Sequence, residues 1–319
     1  MKYFAALAAA LLLQAPAAAM NAEQRTALLQ AADLVAERYV DPVKARAIAE
    51  ALRRDARDDR NVATLDDEAF AKKVTERLRT ISGDGHFALS VRADAATPQE
   101  SQALMFERWY GAGVNHGFDR VARLESGIGY LNLTAFAPVE MGGDLAASAM
   151  NLLAQSPALI VDLRGNSGGM DEMVLLLSAY LLDESREMSA TYDRPSGRTT
   201  RHFTPSWVSG RRFGGTKPLY ILVSRRTFSA AEQFAYDLQA MKRAIIVGER
   251  TGGGAHPYED RAVGNKFVLA LPEGRSINPI TGSDWEGRGV LPDKEVPADT
   301  ALEAALTAAR EQLATSASR

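Results

Sequence analysis

Three short, unbroken apolar runs, Ala158-Leu-Ile-Val161, Tyr220-Ile-Leu-Val223 and Ala244-Ile-Ile-Val247, constrain the fold more than any other feature of the sequence. A strand without a polar position is covered on both faces, as a central strand is in a sheet with helices above and below. The intervals between the runs supply such helices, at Met173 to Leu182 and at residues 229 to 241. This alternation predicts an α/β core. Phe87-Ala-Leu-Ser-Val91 and Gly129-Tyr-Leu-Asn-Leu133 alternate like further strands, and residues 260 to 280 read as a hairpin or meander. A last helix, capped near Asp299, turns Leu302, Ala305, Leu306, Ala309 and Leu313 inward.

Ahead of the strands, residues 21 to 81 change period. Leu28, Ala31, Ala32, Val35 and Tyr39 form one helical stripe. Asp41-Pro42 opens a second helix, with Asp as N-cap and Pro in the first turn, and Ile48, Ala51 and Leu52 give its apolar face. Phe70, Val74, Leu78 and Ile81 give a third. Three short amphipathic helices must bury their stripes against one another or a neighbour, so a small helical domain at 20–82 precedes an α/β domain at 83–319.

Residues 1–19 have the order of a secretory leader. Lys2 comes first, then an apolar run to Leu13, then small residues through Ala19, after which cleavage is expected. The run falls short of the roughly 20 apolar residues of a membrane span, so no stable membrane anchor is expected and the product is periplasmic or secreted. The chain has no cysteine, which excludes disulfides, lipidation at Cys, thiolate metal sites and a Cys nucleophile. Lys and Arg number 37 against 40 Asp and Glu, and the basic residues fall in scattered pairs such as Arg53-Arg54, so no nucleic-acid partner is expected.

Two glycine-bearing turns can carry chemistry. Asp162-Leu-Arg-Gly-Asn-Ser-Gly-Gly169 follows a buried strand and precedes a helix, where backbone amides can bind an anion or simply form a tight turn. Its spacing is neither a dinucleotide fingerprint nor a P-loop. The second, Val223-Ser-Arg-Arg-Thr-Phe-Ser229-Ala-Ala-Glu232, places Ser229 at a helix head. There a capping box with Glu232 and a nucleophile are both open readings. A nucleophilic Ser usually needs a His, and four are present. His86, in Ser82-Gly-Asp-Gly-His-Phe87, projects from a turn; His116 and His202 sit in ordinary polar surroundings; His256, in Gly252-Gly-Gly-Ala-His-Pro257, can line a cleft.

Taken together, Asp162–Gly169, Thr227-Phe-Ser-Ala-Ala-Glu232, Val247-Gly-Glu-Arg-Thr-Gly252 and Gly289-Val-Leu-Pro-Asp293 resemble the ordered signatures of the tail-specific (C-terminal-processing) serine proteases, over about residues 80 to 300. The resemblance implies a crotonase-like ββα core behind the helical domain. It also implies a serine endopeptidase acting on polypeptides through an acyl-enzyme on Ser229, which the leader-like residues 1–19 would make an exported one. The Lys of the family's Ser-Lys branch would fall within Gly252–His256, which has none. The chain is more similar to the branch of the tricorn core and of interphotoreceptor retinoid-binding protein. That likeness implies His86 as base, Glu286 of Trp285-Glu-Gly-Arg-Gly-Val290 as supporting acid, and Gly168, Gly169 and Ala230 as oxyanion donors. The Ser that adjoins the base in tricorn-like sites is replaced by Gly85 and Phe87. The interval from Val91 to Ile128 is too short for the PDZ insert of many relatives.

No cofactor or metal is implied, and oligomeric state and natural substrate stay open. Two rival readings share the fold: a non-catalytic carrier of lipid or retinoid-like ligands in the same cleft, and an acyl-CoA enzyme, which an exported chain would rarely supply with CoA.

Overall fold

The computed structural model describes residues 20–58, 66–92 and 98–317; the leader-like segment 1–19 lies outside the described residues. The helices are α1 (Ala22–Arg38), α2 (Pro42–Arg57), α3 (Asp67–Ser82), α4 (Pro98–Tyr110), α5 (Val139–Leu153), α6 (Asp171–Leu181), α7 (Ala230–Ala240) and α8 (Ala301–Ala317). The strands are β1 (Ala88–Val91), β2 (Phe118–Arg123), β3 (Gly129–Leu133), β4 (Leu159–Asp162), β5 (Glu187–Asp193), β6 (Arg198–Phe203), β7 (Leu219–Val223), β8 (Ile245–Gly248), β9 (Tyr258–Val263), β10 (Phe267–Pro272), β11 (Gly274–Ile277) and β12 (Lys294–Glu295). No helix among the described residues is long and apolar enough to cross a membrane.

The three apolar runs are β4, β7 and β8, at the centre of a six-stranded sheet ordered β12-β8-β7-β4-β3-β2. All its neighbours pair in parallel except β2, which runs antiparallel to β3. Strand periodicity sorts the buried side chains into two layers. Leu131, Val161, Ile221 and Ile246, in register across four strands, pack with α5, α6 and α7. Tyr130, Ile160, Tyr220, Leu222 and Val247 pack on the other face with Ala301, Ala305, Leu306 and Ala309 of α8. Helices on both faces explain why these strands tolerate no polar position, and the expected α/β class is the one observed.

The helical amino-terminal region is also present, with the expected cap at the head of α2. Asp41 accepts from the amides of Val43 at 2.9 Å and Lys44 at 3.1 Å, with Pro42 first in α2. The stripes of α1, α2 and α3 bury against a second sheet, β1-β10-β9, whose Leu89, Val263, Phe267, Leu269 and Leu271 share their core. Strands β9 and β10 form the hairpin expected within 260–280, and β11 joins β5 and β6 in a third sheet. Helix α3 ends at Gly83, φ 72°, so the chain turns sharply into Asp84 and His86.

Buried Glu273 ties the helices to the strands. Its carboxylate accepts two bonds from Arg38, at 2.7 and 3.0 Å, and two from Arg261, at 2.8 and 2.7 Å. Burial alone would raise its pKa, but the two guanidinium groups hold it below the usual carboxylate range. Glu273→Gln removes the charge and leaves both Arg forks mismatched. Breaking a buried pair from one side costs roughly 3–5 kcal/mol. Because the two Arg side chains keep some solvent contact, we expect a loss on the order of 2–3 kcal/mol here, read as a lowered midpoint in thermal unfolding at neutral pH.

Candidate active site

Strand β7 ends at Val223, and the turn that follows is built by its own side chains. Thr227 Oγ1 accepts from Ser224 N at 2.9 Å and donates to Leu163 O at 2.8 Å, so the turn is pinned to the end of β4. Phe228 N bonds Asn166 O at 3.2 Å. These contacts present Ser229 at the head of α7 with φ 54° and ψ −125°, a conformation unfavourable for a residue with a Cβ. The Ser229 amide donates to Glu232 Oε2 at 2.9 Å, while the Glu232 amide bonds Ser229 O at 2.8 Å. The Ser229 hydroxyl lies 3.0 Å from His86 Nε2. Capping and a nucleophilic arrangement therefore coexist: the Glu232 side chain caps the helix, and the hydroxyl faces an imidazole.

His86 is buried. Its ring packs near those of Phe228 and Tyr258, with centroids 4.7 and 5.7 Å away. Burial pushes its pKa down to about 4, against the charge of Asp84 and aided by those of His256 and Arg79. The carboxylate nearest to it belongs to Asp84, whose Oδ1 takes the His86 backbone amide at 3.0 Å and stands 3.8 Å from His86 Nδ1. Asp84 Oδ2 accepts from His256 Nδ1 at 2.7 Å and from the Tyr39 hydroxyl at 3.3 Å. Burial would raise the Asp84 pKa, but the bond and charge of His256, with the charge of His86, hold it below the ordinary value.

Glu286 stands one shell further out than the resemblance implies. Its Oε2 accepts from the Ala255 amide at 2.6 Å and lies 3.7 Å from His256 Nδ1, and neither Oε1 nor His86 Nδ1 has a hydrogen-bond partner among the described residues. Burial, then the charge of Asp84, push the Glu286 pKa up to about 7. Burial lowers that of His256, but the Asp84 bond and the Glu286 charge outweigh it and raise it. Asp84, His256 and Glu286 place their donor atoms within 4.8 Å of one another, in a cluster closed by the His256–Asp84 bond.

The two glycine turns meet at the serine. A Cβ on Gly168, φ 114°, would lie 2.8 Å from Ser229 Cβ and 3.1 Å from Ala230 N, so only glycine permits this approach. The Gly168 amide, however, donates to Asn166 Oδ1 at 2.8 Å and is not free for a ligand. The amides of Gly169 and of Ala230, the first residue of α7, have no partner among the described residues. Asn166 also donates from Nδ2 to Leu133 O at 2.9 Å, fixing the turn to β3.

The structure thus brings Ser229, His86 and His256 together, with Glu286 behind His256. His116 and His202 bond Tyr110 O and Thr191 Oγ1 respectively. Sequence reasoning missed Asp84 as the bridge between two imidazoles, although it lies two residues before His86. It also missed Glu232 as a tie to the 251–254 loop, although the Ser-x-x-Glu spacing marked it as a cap. Glu232 accepts from Thr251 Oγ1, from Gly253 N at 2.7 Å and from Gly254 N at 2.8 Å.

The sequence model described as peptidase family S41 matches residues 127–296. The chloroplastic carboxyl-terminal-processing peptidase 1 of Arabidopsis thaliana is 30% identical over 191 residues, covering 58% of this chain and 37% of that protein. The chain spans well under half the length of the curated relatives it matches. Among solved structures, mature CPAF complexed with lactacystin superposes with a TM-score of 0.60 at 11% identity, over 92% of this chain and 98% of that one. The tricorn protease superposes with a TM-score of 0.56 at 16% identity, over 89% of this chain and 35% of that one. At these identities the two superpositions show a common fold.

Gly254 tests the geometry directly. A Cβ there would lie 2.2 Å from Phe228 Cζ and 2.7 Å from His86 Cε1. Gly254→Ala should displace the imidazole from Ser229. A misplacement of about 1 Å can cost roughly 100-fold in reactivity, and a loss of that order is expected in the rate at which a fluorophosphonate labels Ser229, with circular dichroism unchanged.

Proposed function

The chain belongs to peptidase family S41, and from that premise we propose that it is an exported serine peptidase acting on polypeptides through an acyl-enzyme on Ser229. The 3.0 Å approach of His86 Nε2 to Ser229 Oγ carries this reading. His86 takes the hydroxyl proton as Oγ attacks the substrate carbonyl carbon. The tetrahedral oxyanion is met by the free amides of Ala230 and Gly169, since that of Gly168 is spent on Asn166. One such donor is worth about 2.7–4 kcal/mol in a studied protease. His86 then returns the proton to the leaving amine as the C–N bond breaks, and next activates water, which releases the acid and restores Ser229. No cofactor enters these steps.

The leader-like order of residues 1–19 supports export, with cleavage after Ala19. The curated relatives are named for carboxyl-terminal processing, and we extend that substrate class, the carboxyl-terminal segments of polypeptides, to this chain.

Hydrolysis of unfolded casein and of a peptide library should occur with the mature protein and fall roughly 10³-fold or more in folded Ser229→Ala. The base must be unprotonated to act. Because burial lowers the His86 pKa to about 4, activity should persist as pH falls from 7 to 5 and be lost through about 4. Absence of both hydrolysis and phosphonate labelling in folded wild-type protein would overturn the reading and leave the cleft to ligand carriage.

A further inference from the structure

Two imidazoles share one carboxylate behind the serine. His86 can accept a proton at Nε2 only with its own proton on Nδ1, and that buried atom has no partner among the described residues. The nearest carboxylate oxygen to it, Asp84 Oδ1, is 3.8 Å away, about 1 Å beyond a good hydrogen bond. A small movement of the imidazole closes the gap only if Asp84 stays in place with that oxygen free to accept from Nδ1. Asp84 is held there from its far side. Its Oδ2 takes the 2.7 Å bond from His256 Nδ1, supported by the Tyr39 hydroxyl. Glu286 faces His256 and fixes the preceding amide, that of Ala255, without bonding His86.

We propose that His256 is a positioning residue of the reaction: bonded to Asp84 through Nδ1, it fixes that carboxylate as the acceptor for His86 Nδ1, with Glu286 standing behind the pair. The inference rests on the peptidase reading and adds to it an acid, Asp84, placed between base and second imidazole. It reassigns the supporting role from Glu286 to the pair Asp84 and His256.

The signs of the charges make the assignment testable. The groups facing His86 are Asp84, His256, Arg79, Tyr258 and Ser229; those facing the Asp84–His256 pair are Tyr39, Glu286 and Asp284. The Asp84 charge favours protonated His86, whereas those of His256 and Arg79 oppose it. His256→Asn keeps a donor near the place of Nδ1 but cannot carry charge, so it should move the His86 titration to higher pH. Asp84→Asn removes the negative charge and should move it to lower pH.

Labelling of Ser229 by a fluorophosphonate, followed across pH in wild type, His256→Asn, His256→Ala and Asp84→Asn, reads both effects without a known substrate. The plateau rate should fall roughly tenfold or more in His256→Ala and recover mostly in His256→Asn. The acid limb should move up in His256→Asn and down in Asp84→Asn, each by about 0.3 unit or more. A ¹⁵N nuclear magnetic resonance titration of the His86 ring reads the same shifts in any variant that labels poorly. If wild type labels but the two limbs do not separate, or His256→Asn labels no better than His256→Ala, the inference falls and the peptidase reading stands. If folded wild type does not label at all, the reading of Ser229 as nucleophile fails first and takes the inference with it.

Discussion

Buried at the start of α7, the Glu232 carboxylate accepts from the amide of Ser229, the amides of Gly253 and Gly254, and the hydroxyl of Thr251. One side chain thereby joins the turn that presents the serine to the loop that carries His256. Burial raises its pKa to about 7 even though all four donors pull the other way, a measure of how much desolvation the junction bears. Ser229 is held at φ 54°, a conformation that costs on the order of 1–3 kcal/mol for a residue with a Cβ. The bonds to Glu232 and Asn166 are what oppose its relaxation. Without the junction, the serine turn and the 251–254 segment would lose the one carboxylate that both of them bond.

The loop matters because it connects two cores. Residues 249–257 leave β8 in the central sheet and enter β9 in the sheet that carries the amino-terminal helices. Ser229 belongs to the first body and His86 to the second, 143 positions earlier in sequence. Their approach to 3.0 Å therefore depends on how the helical region is seated on β1, β9 and β10. Glu273 sets that seating by gripping Arg38 of α1 and Arg261 of β9 together. A polar clamp suits this place because its forked geometry fixes position, whereas apolar contact alone would leave room to slide.

Much of this was legible in the sequence, for reasons that differ by element. The apolar runs of β4, β7 and β8 and the stripes of α1, α2, α3 and α8 follow from periodicity, because the demand of burial repeats along the chain. Ser229 and His86 were legible because each sits in a turn whose neighbouring residues resemble a known order. The partner of the α1–α3 stripes was not, since β9 and β10 arrive nearly 200 residues later and no local pattern names a distant partner. Glu286 is expected beside His86 and stands instead beside His256, because a loop side chain has no period from which its direction follows. Gly168 was expected as an oxyanion donor, yet the bond of its amide to Asn166 Oδ1 is a short-range turn contact of the kind Asn favours. That bond could have been anticipated from Asn-Ser-Gly alone.

The glycines of the site act by the space they leave. At Gly168 and Gly254 an added Cβ would collide with Ser229 and with His86 respectively, so both reacting side chains rest directly on backbone. Contact with backbone fixes a side chain more firmly than contact with another side chain, which has rotamers of its own to lose. It also brings amides close to where charge develops, at a helix start whose first N–H groups lack partners. The same absence of Cβ atoms that makes these turns look like flexible loops in the sequence therefore makes them the least adjustable part of the folded site, and the adjustable part is left to the 3.8 Å gap between Asp84 and His86.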